Sequence, residues 1–283
     1  MSWHMFRRVK DTSGTALTVL CACLAVVPLG AMMFYVLSQG GASLNLEFFT
    51  NLPAPAGESG GGMLSQIVGT LFLILLTSAI GVPIGILSGI YLWRASGGRF
   101  ADLVRFVTDV IAGTPSIVAG VVAYALVVIP MGHFSALAGA VALALLMFPT
   151  VTRATEETIK LVPPAIREAG LALGLPEWKT TLRIVLPSAT AGIVTAIMLG
   201  VARVAGETAP LVFTAFGNDH LVANPTREIG ALPLQIWKYA QAPYDDWHRQ
   251  AWAGAFVLFC LVVLINLIAR VLTYRLSSRV GTG

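Results

Sequence analysis

Charged residues are scarce in this sequence. Of its 283 residues only 11% are Asp, Glu, Lys or Arg, whereas 56% are hydrophobic. A soluble domain has about 25% charged residues, so this chain has too few to cover a surface that faces water. The basic residues behind the net charge of +4 are scattered at the ends of apolar runs, which argues against a nucleic-acid-binding patch. The composition therefore predicts an integral membrane protein.

Residues and motifs for catalysis or metal binding are also few. Cys21, Cys23 and Cys260 lie in apolar runs without a CxxC pair, so neither a disulfide nor a metal site is predicted. The four histidines lie outside the apolar runs, and no HExxH or GxSxG motif is present, so no catalytic residue is predicted. No GxxxxGK[ST] motif is present either, so any ATP that the protein uses is expected to bind to another subunit.

Long apolar runs are what the sequence has in abundance. A helix needs about 20 apolar residues to cross a membrane, and six segments qualify. They cover residues 15–37, 66–93, 109–131, 135–151, 188–216 and 251–274. The first exceeds the apolar region of about 7–15 residues in a signal peptide, so we expect it to stay in the protein. The predicted fold class is all-α, with six transmembrane helices in a single domain over residues 1–283.

Three glycines mark one face of the second predicted helix. Gly81, Gly85 and Gly89 are spaced four apart, which gives two overlapping GxxxG steps. Small residues at this spacing let another helix approach closely inside a membrane. We therefore expect this face to pack against a neighbouring helix.

Lys and Arg residues are distributed unevenly between the two sides of the predicted bundle. Fourteen fall in the two termini and in the connections over residues 94–105 and 153–187, against three on the other side, Arg227, Lys238 and Arg249. Positively charged loops stay in the cytoplasm. The asymmetry predicts that both termini and the 153–187 loop are cytoplasmic.

The opposite loop, residues 217–250, combines aromatic and acidic residues. Its aromatics and the one just after it are typical of an interfacial belt; they are Trp237, Tyr239, Tyr244, Trp247 and Trp252. Its acidic residues are Asp219, Glu228, Asp245 and Asp246. This loop either docks a soluble binding protein or is simply solvated.

The 153–187 loop has the signals of two short helices. Pro163-Pro164 can begin the first helix, and Gly174 suits the left-handed position after its end. Pro176 can begin a second helix that runs to about Val185. Glu168 would lie early in the first helix, available to a basic side chain of a partner. A solvated connector is the alternative interpretation.

Arg203 and Glu207 lie inside the fifth apolar run. Burying an Arg in a membrane costs at least about 2.5–3.5 kcal/mol, so it is expected to be paired or to face water. Glu207, four residues on, lies on the same helix face and supplies a partner. One interpretation is a structural ion pair. The other is an anion site in which the guanidinium donates to phosphate or sulfate oxygens. In that case Glu207 either holds Arg203 when the site is empty or accepts a hydrogen bond from a protonated oxyanion, which would favour phosphate over sulfate.

A break is predicted inside the third run, at Gly113-Thr114-Pro115-Ser116. Thr114 can cap a helix that has Pro115 at its first position. The free amides of Ser116 and Ile117 would then be available to an anion. A plain proline kink is the alternative.

The loop also carries a family motif. The spacing Glu-Ala-(Ala)-x3-Gly-x9-Ile-x-Leu-Pro resembles the EAA loop of type I ABC importer permeases. The matching residues are Glu168, Ala169, Gly174, Ile184, Leu186 and Pro187. Gly170 departs from the motif, which has alanine there. The resemblance implies the permease fold of that family and a loop that docks into a groove of a separate ATPase.

Two further segments narrow the resemblance. Arg203-Val-Ala-Gly-Glu207-Thr-Ala-Pro is similar to the segment that marks the phosphate-specific (Pst) ABC permeases, most of all their PstA subunits. Gly113-Thr114-Pro-Ser116-Ile-Val-Ala-Gly resembles a segment shared by both Pst permease subunits. Together with the loop, the resemblance covers residues 66–274. It implies that Arg203, Glu207, Thr114 and Ser116 line the path of inorganic phosphate.

The resemblance also implies partners and a location. The partners are a PstC-like permease, a PstB-like ATPase dimer and a periplasmic or lipid-anchored phosphate-binding protein, in the cytoplasmic membrane of a bacterium or archaeon. No cofactor is implied for this chain. An ATP-independent anion carrier or channel is the competing hypothesis, although it would not need the loop. An intramembrane enzyme is a third, which the absence of catalytic motifs disfavours.

Overall fold

The fold is helical throughout the computed structural model, which describes residues 3–58, 60–95 and 97–280. The predicted domain over 1–283 thus includes residues 1–2, 59, 96 and 281–283, which lie outside the described residues. The helices are α1 (Trp3–Gly40), α2 (Leu46–Thr50), α3 (Leu64–Arg94), α4 (Arg99–Gly113), α5 (Ser116–Ala123), α6 (Ile129–Met131), α7 (Ala136–Lys160), α8 (Pro164–Ala172), α9 (Glu177–Thr180), α10 (Leu186–Ala205), α11 (Ala209–Val212), α12 (Leu232–Ala240) and α13 (Asp245–Val280). Within these ranges we find no strand, only two isolated bridges.

Five of the helical segments are long and apolar enough to cross a membrane. They are Lys10–Ser43, Leu64–Arg94, Ala136–Lys160, Glu177–Ala205 and Asp245–Val271. The bent pair Arg99–Gly113 and Ser116–Met131 makes six if it counts as one span. The all-α membrane fold predicted from the sequence is confirmed. Several helices extend beyond the predicted apolar runs, because helices continue into the polar regions on either side of a membrane.

The centre of the bundle is the contact between α3 and α7. Gly81, Gly85 and Gly89 all face α7, as the GxxxG spacing predicts. A Cβ atom at Gly85 would lie 2.8 Å from two side-chain carbons of Val151, and one at Gly89 would lie 2.7 Å from the carbonyl oxygen of Thr152. The glycines therefore allow a closer approach than any side chain would permit.

α7 is longer than the sequence predicts. The apolar run predicts an end at residue 151 and a loop from Arg153, but the helix continues to Lys160. The carboxylate of Glu156 is fully buried in this extension, where it contacts Arg105 of α4 at 3.1 Å and Lys160 at 3.1 Å. Because basic side chains compensate the buried charge, the helix can continue through it. The loop therefore begins after Lys160 rather than at residue 153.

The third predicted span is divided into helices at the break that the sequence predicts, between Gly113 and Ser116. α4 begins ten residues before the predicted start at Asp109 and ends at Gly113, and the direction changes by 109° before Ser116–Met131. Pro115 has no N–H to donate and restricts the backbone of Thr114, which adopts an extended conformation with ψ at 132°. The proline is thus the physical cause of the break.

The fifth span begins and ends earlier in the chain than the predicted range of 188–216. One helix runs from Glu177 to Ala205, because a π-helical segment, Thr181–Val185, joins α9 to α10 without interruption. Helix α10 ends at Ala205. The chain then forms only the short helix Ala209–Val212, so residues 206–216 do not continue the span.

The region after α11 is folded into the bundle rather than forming an open loop. α12 lies within it and is buried along Leu232–Gln235. Tyr239 and Trp247 stack at 4.3 Å between ring centroids and are both buried, so these two residues belong to a core cluster and not to the predicted aromatic belt. Trp237, at 51% exposure, remains on the surface.

Candidate functional site

Arg203 lies in the last turn of α10 and is exposed. Its guanidinium donates one hydrogen bond of 3.3 Å, from Nη1 to the hydroxyl of Thr150 on α7. Charged side chains inside membrane spans face a water-filled cavity or the protein interior rather than lipid. An exposed arginine here therefore marks the side of α10 that faces a polar space or a second subunit.

Glu207 does not form the predicted ion pair with Arg203. The helix ends at Ala205, so Glu207 lies beyond it and the spacing of four residues no longer places the two side chains on one helix face. Within the described residues, no carboxylate lies within 4.0 Å of Arg203. The half-buried carboxylate of Glu207 likewise makes no hydrogen bond or ion pair there. The site thus holds a guanidinium without a carboxylate partner and a carboxylate without a cation partner, four residues apart in the chain.

Thr114 and Ser116 flank the bend between α4 and α5. Thr114 does not cap α5 as predicted; its hydroxyl donates backwards to the carbonyl of Val110 at 2.7 Å, and Pro115 stands at the capping position. Ser116 is the first residue of α5, where helix amides have no acceptor within the helix. Thr114 and Ser116 are both half-buried.

The two segments on which the Pst resemblance rests meet in the structure. Gly120, which ends the first segment, packs on Pro210, which ends the second. A Cβ at Gly120 would lie 2.6 Å from the Cα of Pro210. The bent pair and the chain after Arg203 are thus in direct contact, although no contact between Arg203 and Thr114 or Ser116 is found among the described residues.

The predicted hinge at Gly174 lies between α8 and the long helix Glu177–Ala205, whereas the predicted second short helix ending near Val185 is the start of that long helix. Helix α8 ends at Ala172, and Gly174 follows with φ at +78°. The amide of Gly174 donates to the carbonyl of Leu171 at 2.9 Å, and that of Leu175 donates to the carbonyl of Gly170 at 3.3 Å. This pair of hydrogen bonds is the Schellman motif, which needs a left-handed residue at the glycine.

Gly170 is the buried contact between α8 and the helix that follows. A Cβ there would lie 2.7 Å from Cγ2 of Thr180 and 2.7 Å from Cδ1 of Ile184. The departure from alanine at this motif position therefore has a steric cause. Glycine lets α8 pack directly on the residues that begin the long helix.

The outer surface of the loop is exposed. Glu168 and Ala169 are exposed, as is Pro187, whereas Ile184 and Leu186 are half-buried against the loop itself and the bundle. Four large apolar side chains are exposed around this surface: Leu171, Leu173, Trp178 and Leu182. Exposed apolar side chains of this size on a short loop are typical of a surface that binds another protein.

Ion pairs fasten the loop to the bundle. Glu177 at the start of the long helix contacts Arg94 at the end of α3 at 2.9 Å, and it also contacts Arg167 of α8. Exposed pairs of this kind contribute little each, about 0–1 kcal/mol. They nevertheless join three elements, so α8 has a defined orientation on the bundle.

A second ionic cluster was not predicted. It surrounds the buried Glu156, whose carboxylate contacts Arg105, Arg153 and Lys160, while Arg153 also contacts Asp109 at 2.5 Å. The spacing of Arg153, Glu156 and Lys160 at three and four residues could have indicated it on a helix. The partners on α4 could not be found from sequence spacing. In the described ranges no group of three His, Cys, Asp or Glu side chains is placed to hold a metal ion.

Comparison with known proteins places the chain in a family. Residues 81–282 match the family described as binding-protein-dependent transport system inner membrane component, which covers α3 from Gly81, the loop and α10. The chain belongs to this family of permeases.

Two relatives that this permease matches over nearly their full length share one name. This permease is 41% identical over 270 residues to the phosphate transport system permease protein PstA of Yersinia pestis, covering 94% of this chain and 91% of that protein. It is 40% identical over 280 residues to the protein of the same name from Xylella fastidiosa (strain 9a5c), with 97% and 96% covered. The resemblance to phosphate-specific ABC permeases stated from the motifs is confirmed.

A solved structure supports the fold. A chain of the MetNI methionine ABC transporter in an inward-facing conformation superposes with a TM-score of 0.62 at 19% identity, covering 76% of this chain and 97% of that chain. At this identity the likeness concerns the fold alone. The predicted type I ABC importer permease fold is confirmed.

The family determines what kind of protein this permease is. It is a multi-pass inner-membrane component of an ABC importer that works with an ATPase and a binding protein, and it is a transport component rather than an enzyme.

Proposed function

We propose that this permease imports inorganic phosphate across the cytoplasmic membrane of a bacterium or archaeon. The names of its relatives support phosphate as the substrate. The observation that carries the proposal is Arg203, an exposed guanidinium at the end of a spanning helix whose described polar contact is a single threonine hydroxyl. Its remaining N–H groups are free to donate to the oxygens of a tetrahedral anion.

In this proposal the substrate path includes Glu207, Thr114 and Ser116 beside Arg203. The carboxylate of Glu207 accepts a hydrogen bond from the protonated oxygen that phosphate has at neutral pH and that sulfate lacks. The first amides of α5 offer a weaker anion contact at Ser116. The contact between Gly120 and Pro210 supports the idea that these segments serve one path.

The loop is proposed to receive the ATPase. The exposed Glu168 and Ala169 form the contact, and Gly174 is the hinge between α8 and the long helix that begins at Glu177. Ile184, Leu186 and Pro187 begin the helix that leads to Arg203. The proposed ATPase is a PstB-like dimer, and a homologous PstC-like permease completes the membrane part. A periplasmic or lipid-anchored phosphate-binding protein delivers the substrate on the opposite side.

The proposed orientation has both termini and the loop in the cytoplasm. The excess of Lys and Arg at that end supports it. On the opposite side, the surface around α12 and residues 217–231 is available to the binding protein. Of its acidic residues, Asp219 pairs with Lys238 at 2.9 Å and Asp246 accepts from the amide of Gly60 at 3.2 Å. Glu228 and Asp245 make no described side-chain contact, so they are the acidic groups left for docking.

Uptake of labelled phosphate and sulfate into proteoliposomes, with the permease, ATPase and binding-protein partners present, tests the proposal. We expect phosphate uptake that requires ATP and this chain. Arg203→Gln should abolish uptake while the complex still assembles, and Arg270→Gln is the matched control because it removes an exposed arginine from another spanning helix. Uptake without ATP would instead indicate a secondary carrier, and uptake of sulfate alone would overturn the substrate.

A further inference from the structure

A cleft of about 400 Å³ lies where the loop joins the bundle. Its lining residues come from the end of α3, the end of α7, α8 and the start of the long helix; they are Trp93, Arg94, Lys160, Val162, Pro163, Pro164, Arg167 and Val185. At about 30 Å³ per water molecule this space exceeds a dozen waters. It can therefore hold a phosphate group together with part of its hydration shell.

The charges in the cleft have one sign. Three of its lining residues are cations, Arg94, Lys160 and Arg167, and none is acidic. Arg94 and Arg167 share a single carboxylate, that of Glu177, so these three side chains together carry a net charge of +1. Lys160 contacts Glu157 at 2.8 Å and Glu156 at 3.1 Å, and the carboxylate of Glu156 is shared with Arg105 and Arg153. All three cations and Glu177 keep more than two fifths of their side-chain surface exposed, so an incoming anion can reach them.

We propose that this cleft binds a phosphate oxyanion, which replaces Glu177 between Arg94 and Arg167 and also contacts Lys160. Guanidinium groups bind phosphate oxygens through paired N–H donors, and the lysine adds a point charge. The oxyanion comes either from the headgroup of an anionic phospholipid or from free phosphate. Basic pockets between transmembrane helices on the cytoplasmic side are sites for anionic headgroups, and the neighbouring Trp93 is typical of that depth.

Binding in the cleft would act on the loop. Arg167 is next to Glu168 on α8, whereas Arg94 and Lys160 end helices of the bundle. A ligand that bridges these three cations fixes α8 to the bundle more firmly than Glu177 alone does. The cleft does not include Arg203, so this inference does not depend on the substrate proposed above.

The test uses the full chain purified in an uncharged detergent. Its thermal unfolding midpoint is measured during titration with dihexanoyl phosphatidylglycerol, with dihexanoyl phosphatidylcholine and with inorganic phosphate. A ligand that binds only the folded protein raises the midpoint, and above its Kd the rise continues with the logarithm of the ligand concentration. We expect phosphatidylglycerol, free phosphate or both to do so, and phosphatidylcholine, whose headgroup also carries a cation, to have little effect.

Two matched variants distinguish an anion site from a purely structural ion pair. Both remove the ion pair between Arg167 and Glu177, so a structural role predicts the same effect for both, whereas an anion site predicts opposite effects. Arg167→Gln should weaken the apparent affinity for the anion at least about tenfold. Glu177→Gln should strengthen it, since the competing carboxylate is gone. Arg183→Gln, an exposed cation of the same loop outside the cleft, should leave it unchanged.

The outcomes are decisive for the cleft. A response to phosphatidylglycerol with this variant pattern identifies the lipid headgroup as the source, and a response to phosphate with the same pattern identifies the free ion. Equal weakening by Arg167→Gln and Glu177→Gln would overturn the proposal, as would the absence of any anion response. A phosphate response that is lost in Arg203→Gln but kept in Arg167→Gln belongs to the substrate site. If phosphatidylglycerol also gives no response, the proposal of an anion site in the cleft is overturned.

Discussion

At the scale of single residues, the position of the helix end decides what Arg203 and Glu207 can do. If α10 continued for one more turn, the two side chains would neutralise each other on one helix face. Because it ends at Ala205, Glu207 is released and Arg203 contacts Thr150 of α7 instead. A guanidinium and a carboxylate that do not neutralise each other suit an anion that carries a proton.

Glu207→Gln is expected to weaken the discrimination between phosphate and sulfate. A carboxylate accepts a charge-assisted hydrogen bond from protonated phosphate and repels sulfate, and such a bond contributes about 1.5–3 kcal/mol. The ratio of phosphate to sulfate uptake should therefore fall by about tenfold or more. Competition between the two labelled anions in proteoliposomes measures it. An unchanged ratio would assign Glu207 no part in selecting the anion, while Glu207→Asp, which keeps the charge, should retain most of the selectivity.

Gly170→Ala is expected to strain the loop. The added methyl group would meet the Thr180 methyl and the end of the Ile184 side chain, both at 2.7 Å, and overpacking of this kind costs about 1–3 kcal/mol. The unfolding midpoint should fall and the loop should be cleaved sooner by protease. Thr180→Ser removes the Cγ2 atom, so the double variant should recover much of the loss. If the double variant is no better than Gly170→Ala alone, the clash is not the cause.

Sequence patterns identified these residues but not their surroundings. The motif and the rarity of charge pointed to Arg203, Glu207 and Glu168 without a structure. The contact of Thr150 with Arg203, and the contacts of the Glu156 cluster with Arg105 and Asp109 of α4, join residues far apart in the chain, which spacing along one helix cannot indicate. The missing capping role of Thr114 has a local cause: its hydroxyl is taken by the carbonyl of Val110 in the preceding helix.

At the scale of helices, the packing of α3 on α7 predicts different costs for two similar substitutions. Gly81→Ala places its methyl group 3.1 Å from the sulfur of Met147, a flexible side chain that can move. Gly85→Ala places it 2.8 Å from Cβ and Cγ1 of Val151, whose branched side chain is held by the helix. We expect Gly85→Ala to lower the free energy of unfolding by about 1–3 kcal/mol and Gly81→Ala by less than about 1 kcal/mol.

Each substitution is the control for the other, because both gain the same helix propensity over glycine. Unfolding midpoints in detergent compare them. Equal midpoints would mean that α3 and α7 can separate slightly without cost.

The hinge at Gly174 predicts a defect of coupling. Proline cannot adopt φ near +78° and has no amide for the hydrogen bond to Leu171, so Gly174→Pro should separate ATP hydrolysis from transport. Asparagine tolerates the left-handed conformation, so Gly174→Asn should keep most of the coupling. The number of ATP molecules hydrolysed per phosphate imported measures the effect. A normal ratio in Gly174→Pro would show that the hinge is not needed.

The hydropathy of the sequence predicts that the long helices exist, but it does not predict the residues at which they begin and end. α7 continues through a fully buried glutamate because basic side chains surround it, and hydropathy counts that glutamate as a stop. The long helix begins at Glu177 because the π-helical segment carries it through a polar stretch. In both cases tertiary contacts, rather than local composition, decide where the helix ends.

At the scale of the whole molecule, the charge asymmetry predicts which side of the membrane each surface faces. Leu173 is 80% exposed on the loop, and Tyr244 is 37% exposed at the other end. In a variant without the native cysteines, Leu173→Cys should react with a membrane-impermeant maleimide only from the cytoplasmic side. Tyr244→Cys should react only from the outside. The reverse pattern in right-side-out vesicles would invert the proposed topology.

The uninterrupted helix from Glu177 to Ala205 has a thermodynamic consequence. Its 29 residues span about 43 Å, so the loop and Arg203 occupy one rod rather than two hinged pieces. Coupling between two binding sites is reciprocal. If docking of the ATPase changes the affinity of Arg203 for an anion, then an anion bound at Arg203 changes the affinity for the ATPase by the same factor. Under the proposed function, the ATPase should therefore bind the permease with a different affinity when the membrane site is occupied.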